Sequence, residues 1–303
     1  MKPNSSDPRF PDFYIVGAAK SGTTSLFHYL RQHPSIFIPW VKELHYFADR
    51  SHPHGGRFRK RESYLRMYES CPPGVLAGDA STSYLPSPTA ALRIRSARPD
   101  ARIIAVLRDP VDRAYSNYWN KRATLQEELS FEDALDDEPR RDQSGLTHGF
   151  LYVQTGLYYE QVKRFADAFG ERFRVYLFDD LRSDAGALCR DILSFLDVDP
   201  DWSLDTSVVY YPSGLVRSRI LGWLMVRPFP GRRWLVQRWG PHLRDLKGTV
   251  WRRNVRRPPP MNPVTRLRLI EIFRPDVERL GGFLGRDLSA WLDPRPGGPS
   301  TEG

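Results

Sequence analysis

The chain has 303 residues, 40% hydrophobic and 27% charged, which excludes a disordered polyelectrolyte and fits a packed globule. Its net charge of +9 suits anionic ligands, nucleic acid or an anionic membrane surface without choosing among them. Its two cysteines, Cys71 and Cys189, form no CxxC or Cys/His cluster, so neither a zinc site nor a disulfide scaffold is indicated. No stretch reaches the ~20 apolar residues of a membrane helix, and MKPNSSDPRFPDF lacks a signal-peptide core, so a soluble cytoplasmic protein is expected.

In chain order, FYIVGA (Phe13–Ala18) reads as a short buried strand and SLFHYLRQH (Ser25–His33) as the helix after it. SIFIPW is a second apolar run, followed by KELHYF (Lys42–Phe47) and a polar surface loop from Asp49 to Arg61. GVLAGDASTSYL (Gly74–Leu85) reads as a strand entering a polar turn. RIIAVLRDP (Arg102–Pro110) carries the continuous apolar run of a parallel strand covered on both faces, with proline where a helix would begin. VDRAYSNYWNKRA continues with helical periodicity, and Glu127 to Gly149 is an acidic helix and loop. GLYYEQVKRFADAFG (Gly156–Gly170) is an amphipathic helix stopped by glycine. RFRVYLFDDL (Arg172–Leu181) is a strand and GALCRDILSFLDV (Gly186–Val198) a helix.

Strands alternating with helices give an α/β fold, a central mainly parallel sheet flanked by helices. From Pro212 to Pro260 arginine, tryptophan and proline dominate. Val264 to Leu280 then reads as a helix, and FLGRDLSAWL as a segment docking back on the sheet domain. The expectation is a single domain over 1–303 with a basic segment at 212–260. That segment is read as an acceptor lid, a peripheral membrane contact or a helical cover. The tail 294–303 reads as disordered by composition.

Two loops carry chemistry. In GAAKSGTTS, a strand-to-helix turn aims backbone N–H groups and a helix dipole at one point, which favours an anion. Gly17 and Gly22 let backbone approach, Lys20 adds a charge, and Ser21, Thr23, Thr24 and Ser25 add hydroxyls. The order is not that of a nucleotide triphosphatase loop, in which lysine follows the second glycine. In LRDPVDRAYSNYW, Arg108 follows the clearest strand, where ligands gather in open α/β sheets, and its planar fork suits a phosphate.

AAKSGTTSL and RDPVDRAYS together resemble the 5′-phosphosulfate and 3′-phosphate motifs of sulfotransferases that use 3′-phosphoadenosine 5′-phosphosulfate (PAPS), nearest the carbohydrate and heparan-sulfate type and its bacterial relatives. The resemblance runs in pieces from Phe13 to Leu196. It implies the P-loop-like sulfotransferase fold, PAPS as co-substrate, adenosine 3′,5′-bisphosphate as product and no metal. It assigns donor binding to Lys20, Ser21, Gly22, Thr23, Thr24 and Ser25, to Arg108 and Ser116, and loosely to Arg217 in YYPSGLVRSRIL. It also assigns Lys20 to the leaving oxygen.

VKELHYF places Glu43 and His45 on one face of a short extended segment. The resemblance makes Glu43 the base, as in the heparan-sulfate type, with His45 the alternative, since the cytosolic branch uses histidine. Animal heparan enzymes commonly carry a lysine where this chain has Ala80. The implied partner is a carbohydrate, lipid-linked or small-molecule acceptor, with no nucleic acid. The rival readings are a P-loop kinase or hydrolase, and a non-catalytic anion-binding module.

Overall fold

The computed structural model describes residues 10–49, 58, 60–208, 210, 215–216, 255–256 and 258–294. Arg217 and the bulk of the basic segment lie outside them, as does the tail from 295.

Five parallel strands form the sheet in the order β2-β3-β1-β4-β5. They are β1 (Phe13–Gly17), β2 (Ile36–Phe37), β3 (Leu76–Ala80), β4 (Arg102–Leu107) and β5 (Phe173–Leu177). Side chains alternate across a strand. Phe13 and Ile15 of β1 therefore enter one apolar core, while Tyr14 and Val16 enter the other. The first core is closed by α1 (Thr23–Leu30) and α9 (Ala185–Phe195). The second is closed by α3 (Ala90–Ala97), α4 (Pro110–Ala123), α7 (Tyr158–Phe169) and α10 (Pro263–Leu284). Sandwiching on both faces is why β4 is apolar at five successive positions.

Single 3₁₀ turns aside, the remaining described elements are short: α2 (Arg61–Leu65), α5 (Phe131–Asp136), α6 (Glu138–Gln143), α8 (Phe178–Ser183) and the antiparallel pair β6 (Leu215–Val216) and β7 (Val255–Arg256). The chain end docks as expected, with Trp291 buried and its indole N–H 3.5 Å from Asp179 Oδ2. No helix among the described residues is long and apolar enough to cross a membrane, and both cysteines are free thiols.

Three expectations are corrected. The fifth strand stops at Leu177, and Phe178–Ser183 is helical; Asp179 and Asp180 suit a helix's first turn, where its dipole favours negative charge. The first helix runs from Thr23 to Leu30, beginning at the phosphate-loop glycine and ending before Gln32 and His33. The segment around Glu43 and His45 is not extended: both residues have positive φ, 65° and 57°.

Candidate active site

The chain leaves β1 towards β2 and leaves β4 towards β5, so β1 and β4 flank the point where the winding reverses. Ligands in open α/β sheets bind there, at the carboxyl ends of the strands. The turn after β1 folds across that edge, its Ala18 amide donating to Val106 O at 2.7 Å. It then enters α1 through Gly22, whose φ of 79° is left-handed. A side chain at Gly22 would be strained, and its Cβ would lie 2.5 Å from Leu181 Cδ2.

No side chain caps α1, so the turn's N–H groups and the positive end of the helix dipole face the edge. Ser21 is fully buried, and its Oγ has no hydrogen-bond partner among the described residues. Lys20, itself at a φ of 68°, is pulled down to about 8 by burial and then by the charges of Arg108 and Lys42. Arg108 Nη1 donates to Lys20 O at 3.2 Å, and its guanidinium lies 5.0 Å from the centre of the Phe178 ring. Tyr158 donates its hydroxyl to Arg108 O at 3.1 Å. Two mutually repelling cations, Lys20 and Arg108, an uncapped helix start and the buried partnerless hydroxyl of Ser21 therefore lie in one turn region, an arrangement that favours an anion. Asp109 is not an ion-pair partner for Arg108. It caps α4 instead, accepting from the amides of Val111 and Asp112.

Beside this cradle the chain after β2 crosses the end of β3, where the Glu43 amide donates to Ala80 O at 3.0 Å. The Glu43 carboxylate accepts from the Thr82 amide at 2.8 Å and from Thr82 Oγ1 at 3.1 Å, and it pairs with Lys42 Nζ. Burial alone would raise the carboxyl, but Lys42, His45 and the Thr82 amide outweigh it and hold it below its ordinary value. His45 Nδ1 lies 2.7 Å from Ser83 Oγ and 3.8 Å from Glu43 Oε2. Burial lowers its pKa against the pull of Glu43, so at neutral pH the imidazole is neutral. The site thus holds an ionised carboxylate and a neutral imidazole, either able to take a proton.

The structure brings together Lys20, Ser21, Gly22, Arg108, Glu43 and His45 in this region. Thr23, Thr24 and Ser25 fill the first turn of α1, and Ser25 Oγ accepts from the Tyr210 amide at 3.1 Å. Tyr210 stacks on His28, with ring centroids 4.0 Å apart. Ser116 is buried in the second turn of α4. Sequence reasoning gave no role to Thr82, Ser83, Phe178 or Tyr158, whose parts depend on contacts between distant segments. It also passed over Lys121, buried on α4, whose Nζ reaches Gln126 Oε1 at 3.0 Å and the Phe150 ring at 4.3 Å. Lys121's charge is one of those lowering His45.

The parallel sheet, with a basic turn and an uncapped helix start at its winding reversal, is an open α/β architecture whose ligand edge is the carboxyl end of β1 and β4. The sulfotransferase domain model matches residues 10–209, and the chain belongs to that family. A sulfotransferase from Alicyclobacillus acidocaldarius, known from its crystal structure, superposes with a TM-score of 0.73 at 33% identity, covering 94% of this chain and 99% of its own. The human bifunctional heparan sulfate N-deacetylase/N-sulfotransferase 3 is 29% identical over 216 residues, 67% of this chain and 24% of that protein. The human heparan sulfate glucosamine 3-O-sulfotransferase 6 is 37% identical over 114 residues, 36% of this chain and 30% of that protein. The chain spans less than a third of the length of these curated relatives.

Proposed function

We propose that the protein transfers the sulfuryl group of PAPS to a hydroxyl or amino group of a carbohydrate, lipid-linked or small-molecule acceptor, releasing adenosine 3′,5′-bisphosphate. The observation that carries this reading is the convergence of Lys20, Arg108, the uncapped start of α1 and the buried hydroxyl of Ser21, with a held carboxylate, Glu43, beside them. Sulfuryl transfer needs those two things together: a place for the anionic donor and a group to take the acceptor's proton.

In this reading the turn from Lys20 to Ser25 holds the 5′ end of the donor, and Arg108 with Ser116 holds its 3′-phosphate. As the bond to the 5′-phosphate breaks, charge grows on the leaving oxygen. Lys20 stabilises charge that exists only then, which is how a binding group becomes catalytic. Glu43 takes the acceptor proton, with His45 as the alternative base. A carbohydrate acceptor is supported by the relatives, two of which are named for heparan sulfate.

Thermal shift tests the donor: stabilisation by adenosine 3′,5′-bisphosphate without magnesium is expected, and preference for ATP with magnesium would favour a kinase or hydrolase instead. Transfer from radiolabelled PAPS into a host extract, with the labelled product identified, would define the acceptor.

A further inference from the structure

Beneath the Glu43–His45 turn lies a carboxylate that the chemistry above leaves unused. Asp79, in β3, is 1% exposed. Its Oδ2 accepts from the hydroxyls of Tyr64 at 2.9 Å and Tyr84 at 2.7 Å, and its Oδ1 accepts from Ser81 Oγ at 2.8 Å. Two of these donors lead to the same turn. Ser81 Oγ accepts in turn from the His45 amide at 3.2 Å. The Tyr64 ring stacks on that of Tyr46, with centroids 4.3 Å apart and planes 13° from parallel.

The turn needs such restraint, because Glu43 and His45 both hold left-handed φ values that a side-chain Cβ disfavours. A buried carboxylate is a costly way to organise a strand end if packing is its only task. Placed here, it gives one fixed acceptor from which both sides of the turn are held.

We propose that Asp79 is a positioning residue: through Ser81 and Tyr64 it fixes the turn that presents Glu43 and His45 to the acceptor. The activity part of the test rests on the sulfotransfer reading; the structural part does not. The titratable groups facing Asp79 are Glu43, Tyr14, Tyr64, Tyr68 and Tyr84. Burial raises its pKa to about 6, and Glu43 adds to the rise. Once protonated, one of its oxygens can no longer accept in the same geometry, and the turn loosens.

The test uses Asp79→Asn and Ser81→Ala in the full chain. Amide hydrogen exchange at Glu43 and Ala48, which bond to Ala80 O and His45 O, should quicken by about tenfold or more in both variants. Turnover from PAPS should fall ~10- to 100-fold with the KM for PAPS unchanged. The wild type should also lose kcat as pH drops through about 6, a limb missing from Asp79→Asn. A folded variant with wild-type exchange at those amides, or with wild-type kcat, overturns the proposal. If Asp79→Asn does not fold, Ser81→Ala decides alone, since it removes one hydroxyl and leaves the Asp79–tyrosine bonds. If the wild type transfers nothing from PAPS, the sulfotransfer reading fails and the exchange result alone judges Asp79.

Discussion

Lys20 offers a measurement in which charge, burial and ligand can be separated. Burial, Arg108 and Lys42 depress its pKa from 10.5 to about 8, so its ammonium is largely charged at neutral pH and largely neutral a unit above 8. A bound dianion favours the charged form and returns the pKa towards its ordinary value. Affinity for adenosine 3′,5′-bisphosphate should therefore be lost as pH rises through 8, the direction in which the proton leaves the free protein but stays in the complex. If the complex restores the full 10.5, Kd weakens roughly 20-fold between about pH 7.5 and 9.5. Phosphate monoesters have second pKa values near 6, so the ligand does not titrate across this window. Isothermal titration calorimetry at fixed ionic strength is the assay, with Lys20→Met as the control. Methionine keeps the stem and removes the charge, so that variant should bind ~10- to 100-fold more weakly at pH 7.5 and show no pH slope. A Kd that stays flat for the wild type, or an equal slope in Lys20→Met, would refute the placement of Lys20 against the anion.

Glu43→Gln should cut kcat by ~10²- to 10⁴-fold while adenosine 3′,5′-bisphosphate binding stays near wild type; a near-normal kcat in that variant, with a collapse in His45→Asn, would move the base to the imidazole. Arg108→Lys keeps the charge but loses the planar fork and its contact with Phe178, so nucleotide affinity should drop by about tenfold or more, and an unchanged Kd by calorimetry would remove Arg108 from the donor site. Gly22→Ala forces a Cβ into left-handed backbone and to 2.5 Å from Leu181, which should cost ~2 kcal/mol or more of stability; a wild-type urea midpoint would mean the turn is not built as described.

The parts legible in the sequence are those whose chemistry is local. β4 announces itself through five consecutive apolar residues, because both faces of that strand are covered. The helix before Gly170 ends at that glycine, which has a φ of 55°. Lys20 and Arg108 could be named because Arg108 follows its strand directly and Lys20 stands in the short turn after its own, and strand order then sets them on either side of the winding reversal. The base was not resolved in the same way. The groups that hold Glu43 and His45 are Thr82, Ser83 and Ser81, some 40 residues further along and brought over with the pairing of β2 and β3. Phe178 was hidden for a related reason: read as strand, it had no cause to lie under Arg108, whereas as the first residue of a helix leaving the same edge it does.

The contacts that hold Glu43 also say something about timing. Lys42 and the Thr82 amide keep the carboxylate ionised by lowering its basicity, and an acceptor hydroxyl far above neutral in pKa does not give its proton to so weak a base. The mismatch closes only when the acceptor oxygen has begun to bond to sulfur and turned acidic. In the sulfotransfer reading, Glu43 is thus suited to a late proton transfer, and bond-breaking at the leaving oxygen, where Lys20 acts, dominates the barrier. Kinetic separation follows from that order: replacing Lys20 should slow the transfer even for acceptors with acidic hydroxyls, whereas the effect of Glu43→Gln should shrink as the acceptor's own pKa falls.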